Sequence, residues 1–413
     1  MKKNLYLILF AILIVSLNAN SIFSFNGYPI KRDNLDSYGL GIGETGVSDL
    51  FRINASQENP STTTTVDNLI FSTAISFGYI NYKSEDNKFN GDFFNTPFFN
   101  IAVPVKKHRF GFNFTSLANG NLKIVKEASY DSELLDEELT YEEKNWIKSS
   151  IYRVGLNYAL KNNLLNFGFG VDYYFGNRIF HYDAYYDAVE GQNIYDTRYE
   201  ISKNFKEPGF SFGLNKKLDN VAFGFAFHSP VDIEMNSEYK YEINSYPTGN
   251  ISRKLDNITY KLPTKLSFGA TYKINQNWKT TAETNYELWR ESDINRNPEN
   301  SYKLALGLAY DPVWGLGKWW QSIPFRFGGY IKKLSFEVNE NPVNENALTF
   351  GLSVPFASSH KYLDFSVKYL IRGNLDNNSY QDKSLQFSIG TSGFDILRKR
   401  RKRTQPREIP KAD

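Results

Sequence analysis

Bulky apolar residues alternate with small or polar residues along this chain, in segments about ten residues long. About ten residues is also the length with which a tilted β-strand crosses a bilayer. The alternation therefore predicts membrane-spanning strands whose apolar face meets lipid, although a soluble β-sandwich would show the same period with that face inside. In the membrane interpretation the lipid face carries Phe167, Phe169, Phe223 and Phe225, and the lumen face carries Gly168, Gly170, Gly224 and Ala226.

The connections between these segments alternate between short and long, which indicates periplasmic turns at one end and extracellular loops at the other. Counting from Leu69 gives about fourteen strands, so both chain ends should lie in the periplasm. The sequence thus predicts an all-β fold, a transmembrane antiparallel β-barrel. A barrel this wide cannot be filled by its own wall side chains, so it needs a channel or a plug. The long connections include residues 119–145, 177–206 and 230–262.

One connection does not fit the pattern of short periplasmic turns. Residues 311–322 form a long segment that carries Trp314, Trp319 and Trp320. Tryptophans gather at membrane interfaces, so these three residues are expected at the inner interface. The alternative interpretation is that the strand count is wrong here by two.

The first residues have the pattern of a secretory signal peptide. Two lysines precede an apolar run at residues 5–17, and the small residues Ala19 and Ser21 follow it. The run is too short to span a membrane, which takes about 20 residues. We expect residues 1–20 to be the signal peptide of a multi-pass protein in the outer membrane of a Gram-negative-type bacterium.

The rest of the chain divides into three predicted parts. Residues 21–65 lack strand alternation and are expected to form an N-terminal plug inside the lumen. Residues 66–394 are the predicted barrel, and residues 395–413 are a basic periplasmic tail. This tail is either a solvated terminus or a contact for anionic lipid head groups or an acidic partner. Its basic residues are Arg398, Lys399, Arg400, Arg401, Lys402 and Arg403.

Composition excludes several classes of protein. The chain has no Cys, which excludes a disulfide-stabilised secreted domain, and its net charge of +3 is too small to indicate a nucleic-acid partner. The four histidines fall in separate segments without the spacing of metal ligands, and no nucleophile with a neighbouring base is recognisable. We therefore expect no enzymatic activity, metal or cofactor. The histidines are His108, His181, His228 and His360.

Two small motifs stand out in the predicted plug. Gly39, Gly41 and Gly46 form a glycine-rich run, and Asn59 and Pro60 follow it. No alternating βαβ unit surrounds the glycines, so a nucleotide-binding loop is not indicated. The glycines are expected to allow tight packing in the lumen.

These motifs resemble the FadL-type outer-membrane transporters of hydrophobic compounds. That family carries a Gly-Leu-Gly stretch in its plug and then an Asn-Pro-Ala, for which this chain has Asn59-Pro60-Ser61. Further segments resemble the family in the same order, so the likeness covers most of the chain after the signal peptide. They lie at residues 100–105, 110–112, 223–231, 262–269 and 302–307.

The resemblance implies a fourteen-stranded barrel that takes up hydrophobic compounds such as long-chain fatty acids or hydrocarbons. In the family, the plug rearranges and releases the ligand sideways at a kink in the third strand. Asn119 and Gly120 are the candidate kink here, because Gly interrupts strand pairing cheaply. Gly120 at the extracellular end of a strand is the other interpretation. Glu283, Asn285 and Glu287 are predicted to face the lumen, either as ordinary polar lining or as groups that steer a polar substrate.

Two departures from the family leave a second function open. The basic tail continues past the last strand, and the long loops are polar. The related PorV-like barrels bind and shuttle protein cargo in a secretion system. The expected partners are therefore outer-membrane lipids and either a hydrophobic small molecule or a protein.

Overall fold

The computed structural model describes residues 21–24, 30–33, 36–85, 87–132, 137–187, 196–243, 251–293, 297–312, 319–355 and 361–395. The predicted signal peptide and the basic residues 398–403 lie outside these ranges.

Seventeen β-segments run along the described chain. They are β1 (Ile70–Ser84), β2 (Lys88–Val105), β3 (His108–Asn119), β4 (Leu122–Ser132), β5 (Glu137–Leu160), β6 (Asn166–Tyr186), β7 (Thr197–Lys217), β8 (Val221–His228), β9 (Val231–Ile243), β10 (Ile251–Leu262), β11 (Thr264–Lys273), β12 (Trp278–Leu288), β13 (Ser301–Tyr310), β14 (Phe325–Val338), β15 (Asn341–Pro355), β16 (Tyr362–Arg372) and β17 (Tyr380–Asp395). Two short α-helices, α1 (Ser37–Gly41) and α2 (Leu375–Asn378), and the 3-10 helices Ile22–Ser24, Pro60–Thr65 and Trp319–Ser322 complete the elements.

The seventeen segments form fourteen antiparallel spans, because three spans are each broken into two segments. β3 and β4 both pair with β5, β8 and β9 both pair with β7, and β10 and β11 continue one another along β9 and β8. Pro230 and Pro263 lie in two of the breaks, where a missing N–H interrupts the ladder. β1 pairs with β17 and closes the barrel. The predicted strand count is confirmed.

The two faces of the wall follow the predicted parity. Phe167, Phe169 and Phe223 are 41%, 47% and 50% exposed on the outer surface. Their neighbours Gly168 and Gly224 are buried. Such an arrangement suits a wall that meets hydrocarbon outside and polar groups inside. None of the helices in the described ranges is long and apolar enough to cross a membrane.

Three of the predicted long loops, residues 119–145, 177–206 and 230–262, are wrong, since most of their residues are strand. β5, β6 and β7 contain 24, 21 and 21 residues, about twice what a bilayer requires. In their outer halves polar residues alternate with aromatic residues, whereas in the membrane-spanning half of β6 Phe alternates with Gly. Rings stack across these halves, with the Tyr182 and Tyr199 centroids 4.9 Å apart. A sheet of β4, β5, β6, β7, β9 and β10 therefore continues beyond the bilayer on the side predicted to be extracellular.

The irregular connection 311–322 adds no strand in its described part. Its second half is the 3-10 helix Trp319–Ser322. Trp314 lies outside the described residues.

Candidate functional site

The N-terminal segment consists here of the described residues 30–33 and 36–66. It lies inside the barrel, and residues 36–66 are almost all buried. Helix α1 packs against β14, β15, β16 and β17, while the 3-10 helix Pro60–Thr65 packs against β3, β5, β6 and β7. The segment therefore reaches from one side of the inner wall to the other. Its polar backbone and side chains need partners there, because a buried polar group without a hydrogen bond is costly.

Glycines on the inner wall let this segment approach closely. A Cβ placed on Gly168 would lie 2.2 Å from the backbone nitrogen of Ser61. A Cβ placed on Gly224 would lie 2.1 Å from the carbonyl oxygen of Val47. Both contacts are with backbone, which cannot rotate away as a flexible side chain can. The small inward face of the strands is thus fitted to the N-terminal segment.

The glycines and the Asn-Pro motif singled out in the sequence all lie in this segment. Gly39 and Gly41 belong to α1, and Gly41 faces Gly351 of β15 so closely that a Cβ would lie 2.8 Å from its Cα. Asn59 caps the 3-10 helix by accepting a hydrogen bond from the backbone N–H of Ser61. Pro60 is the first residue of that helix.

Two of the three polar residues predicted to face the lumen contact this segment, and the third contacts one of those two. Glu283 accepts hydrogen bonds from the backbone N–H groups of Gly46 and Val47, at 2.7 and 2.9 Å. Glu287 forms an ion pair of 2.8 Å with Lys31, and Asn285 donates to Glu283. Glu283 and Glu287 hold the N-terminal segment, so they are not free to line an aqueous path.

Sequence reasoning missed a set of buried lysines on the inner wall. Lys265 lies 2.7 Å from Asp33 and 2.5 Å from Glu58, and its side chain is almost fully buried. Lys303 and Lys332 also contact Asp33, at 3.4 and 3.2 Å. Lys265 and Lys303 occupy inward-facing positions of strands whose residues alternate between the two faces. That alternation was the one sequence signal that could have placed them on the inner wall. Parity alone could not identify their acidic partners.

The lysines around Asp33 and Glu58 determine whether these two carboxyl groups are charged. Burial by itself would raise the pKa of Asp33, but Lys265, Lys303 and Lys332 hold it well below its ordinary value. Burial also acts to raise the pKa of Glu58 while Lys265 acts to lower it, and the pKa of this carboxyl is lowered to about 2. Both groups are therefore charged at neutral pH and bind the segment to the wall.

The wall is incompletely paired between β2 and β3. Their ladder extends from Val105 and His108 only as far as Phe99 and Phe114. In the part of the chain that the structure describes, residues 88–98 of β2 pair with β1 alone. Beyond Phe114, β3 pairs with β5, and β4 continues along β5. We call the unpaired stretch between residues 88–98 and 115–119 the wall gap.

The N-terminal segment lies across the wall gap. The backbone N–H of Arg32 donates to the carbonyl oxygen of Leu117 at 2.7 Å, and Lys31 forms a β-bridge with Ala118. The pairing register of β3 shifts between Ser116 and Ala118, and the strand ends at Asn119. Gly120 separates β3 from β4, and its N–H donates to Ser149. The predicted kink residues thus stand at the interruption of the third span.

A buried apolar cluster adjoins the wall gap on the lumen side. It begins at Leu117 and Ala118, which are 5% and 2% exposed, and continues over the inner faces of the neighbouring strands. A cluster of buried apolar side chains occupies this place. Its other members are Ile151, Tyr174, Phe205, Val231, Ile233, Met235, Tyr260 and Leu262.

The chain matches the family model described as BamG over residues 1–402. This protein belongs to the BamG family. No curated protein matches its sequence.

Solved structures with the same fold include hydrocarbon transporters. The Ralstonia pickettii toluene transporter TbuX is 14% identical, with a TM-score of 0.60 over 88% of this chain and 99% of that one. The Pseudomonas putida toluene transporter TodX is 13% identical, with a TM-score of 0.60 over 88% and 99%. A Pseudomonas aeruginosa FadL homologue is 13% identical, with a TM-score of 0.59 over 89% and 100%. The predicted FadL-type architecture is confirmed as the fold of this BamG-family chain.

This BamG-family barrel has a small cavity inside the lumen and a larger concavity whose lining includes outward-facing side chains of the wall. Half of the residues that line a cavity of about 50 Å³ beside Asp33 are charged, and this cavity is too small for a fatty acid. A concavity of about 1300 Å³ is apolar, but its side chains include Phe223, Leu306 and Leu348, which point outward. Lipid chains would occupy the second space.

Acid should loosen the N-terminal segment. The pKa of Glu58 is lowered from 4.5 to about 2. The charged carboxylate therefore stabilises the folded protein fully at a pH above 4.5, and this stabilisation is lost as the pH falls to about 2. Asp33 contributes with the same sign. We expect the melting temperature of the detergent-solubilised barrel to fall as the pH decreases from about 5 to about 2.

The variant Asp33→Asn/Glu58→Gln is the reference for this measurement. It removes both titrating groups, so its melting temperature should depend less on pH over the same interval. Identical slopes for the variant and the wild type would show that these two carboxylates do not control the response.

Proposed function

We propose that this barrel is an outer-membrane transport protein that takes up hydrophobic compounds, such as long-chain fatty acids or hydrocarbons, and releases them sideways into the bilayer. The observation that carries this proposal is the wall gap, with a buried apolar cluster on one side and the N-terminal segment across it. The toluene transporters that share the fold support the same class of ligand.

Apolar residues line both edges of the wall gap. Phe93 and Phe98 on β2 are 7% and 2% exposed, and Leu117 and Ala118 on β3 are 5% and 2% exposed. Backbone groups without strand partners are costly in hydrocarbon, so this stretch needs another occupant. The segment at Lys31 and Arg32 supplies part of that pairing. Its withdrawal would leave an apolar opening from the lumen to the membrane.

The N-terminal segment acts as a plug in this proposal. Ion pairs and glycine contacts fix it to the wall in the closed state. A ligand from outside can bury its apolar surface in the apolar cluster only after the cluster has opened. Its binding would therefore favour the conformation in which the plug has shifted. The β-bridge between Lys31 and Ala118 lies beside the wall gap, and we expect the movement to begin there.

A reversible disulfide can test this route, because the chain contains no Cys of its own. Bridged residues of antiparallel strands lie within disulfide reach, so Lys31→Cys/Ala118→Cys should join the plug to β3. We expect the oxidised protein to lose uptake of labelled toluene or fatty acid by at least about tenfold, and reduction to restore it.

A second cysteine pair controls for the effect of cross-linking itself. Leu304 and Ile331 face each other across β13 and β14, are 50% and 51% exposed, and lie away from the wall gap. The variant Leu304→Cys/Ile331→Cys should transport equally well when oxidised and when reduced. Full uptake by the oxidised Lys31–Ala118 protein would exclude release through movement of this contact.

A protein-binding function is the second candidate. The sheet that β4, β5, β6, β7, β9 and β10 form beyond the bilayer favours it, because such a sheet offers a broad aromatic surface to a protein cargo or a secretion partner. Co-purification separates the two candidates. A stoichiometric protein partner that is lost when the outer part of the β6–β7 hairpin, within residues 177–206, is shortened would favour the shuttle.

A further inference from the structure

Asp382 is a fully buried carboxylate at the extracellular end of the inner wall, on β17. The hydroxyl of Ser21 donates a short hydrogen bond to it, and the backbone nitrogen of Ile22 lies 3.5 Å from its other oxygen. The first described residues of the plug are thus directed at one acidic side chain.

Asp382 has less positive charge around it than its burial requires. Arg372 is its ion-pair partner at 3.3 Å. The same guanidinium donates to Glu345 through Nε and Nη2, at 2.8 and 2.5 Å. Among the described ion pairs, Asp382 therefore has one cation, which it shares with Glu345, whereas Lys332 and Lys368 also act on Glu345. A buried charge is tolerated when it is fully paired, so Asp382 itself has room for a second cation.

A second unsatisfied group lies at the same place. Tyr82 stands directly opposite Asp382 across β1 and β17, and it is 4% exposed. Its hydroxyl has no hydrogen-bond partner among the described residues. A donor with several N–H groups placed between Tyr82 and Asp382 would satisfy both.

Signal-peptide removal creates such a donor. Signal peptidases prefer small residues at the third and first positions before the cut, which Ala19 and Ser21 supply for a cut after Ser21, one residue beyond the boundary predicted at residue 20. At such a cut the peptidase would hydrolyse the Ser21–Ile22 bond with water. Ser21 leaves as a carboxylate on the signal peptide, and the nitrogen of Ile22 becomes an α-amine that takes up a proton.

We infer that Asp382 is the binding site for the α-ammonium group of the processed chain. The nitrogen that carries the new charge is the Ile22 nitrogen already placed beside the carboxylate, and cleavage vacates the position of the Ser21 hydroxyl. Ile22 packs against Ile80, Tyr82 and Phe93, while Phe23 is buried against Leu334 and Phe336. These apolar contacts fix the terminus at the depth of Asp382.

The consequence is that processing and plug attachment are linked. The precursor has a neutral amide at this nitrogen, with one N–H and no charge. The processed chain has an ammonium with three donors, and an ion pair of this kind holds the first residues of the plug at the extracellular end. The inference rests on the predicted signal peptide and is independent of what the barrel transports.

The test measures how fast an amine-reactive reagent labels the α-amine of protein purified from the outer membrane. Peptide mass spectrometry after labelling should give a chain that begins at Ile22. Because hydrogen bonds between charged groups are strong, the α-amine of the wild type should react about tenfold more slowly than that of Asp382→Asn. Asp376→Asn, which changes an exposed aspartate of α2, should label like the wild type.

An insertion keeps the test informative if Asp382→Asn does not fold. One glycine inserted after residue 22 leaves Asp382 intact but moves the terminus by about 3.5 Å, so its α-amine should also label rapidly. A chain that begins at any other residue, or a wild-type α-amine that labels as fast as that of both variants, would overturn the inference. Uptake assays on the same proteins report on the transport proposal separately.

Discussion

Replacing Lys265 by Met is expected to destabilise the attachment of the plug by about 3 to 5 kcal/mol. Lys265 is 2% exposed and lies 2.7 Å from Asp33 and 2.5 Å from Glu58. Methionine fills most of the same volume but carries no charge, so two buried carboxylates lose their nearest cation. The free energy of unfolding in denaturant, measured on the reconstituted barrel, gives the size of the loss.

Lys123→Met is the matched control. Lys123 is exposed on β4, and no ion pair with it is found among the described residues, so its replacement should change the free energy of unfolding by less than about 0.5 kcal/mol. Equal effects of the two replacements would mean that the buried ion pairs do not hold the plug.

Replacing Gly224 by Ala is expected to push the plug away from β8. The added Cβ would lie 2.1 Å from the carbonyl oxygen of Val47 and 2.7 Å from its carbonyl carbon, and β8 is fixed by pairing on both sides. The plug must therefore shift. An unplugged barrel of fourteen strands is wide enough to hold water, so single-channel conductance in planar bilayers should rise by at least about tenfold.

Gly111→Ala adds the same methyl group on the same inner face. At that position the nearest atom is the Cβ of Asn157 at 3.3 Å, which a small adjustment accommodates. Its conductance should remain at the wild-type level. A closed Gly224→Ala barrel would show that the plug tolerates displacement without opening a path.

The barrel could be predicted from the sequence because its pattern is local. Each Phe-Gly pair, such as Phe169 and Gly170, defines two faces without reference to the rest of the chain. The strand ends were less predictable. Outside the hydrocarbon zone lipid no longer selects large apolar residues, so the outer half of β6, around Tyr182, resembles a loop in composition although it is paired on both sides.

The candidate site was predicted in part. The plug glycines and Asn59 were recognisable as short motifs, whereas the contacts that hold the plug join residues far apart in sequence. Asp33 and Lys265 are separated by 232 positions, and only the closed barrel brings them together. The wall gap depends on where the ladder between β2 and β3 stops at Phe99 and Phe114. That point is fixed by neighbouring strands and by the plug.

Uptake by cells tests the central claim most directly. Cells that lack the barrel and cells that express it at a known level in the outer membrane are given labelled long-chain fatty acid or toluene, and initial rates are compared. We predict a faster, saturable uptake in the expressing cells, abolished by oxidation of the Lys31→Cys/Ala118→Cys protein. Equal rates with and without correctly folded barrel would contradict the transport function.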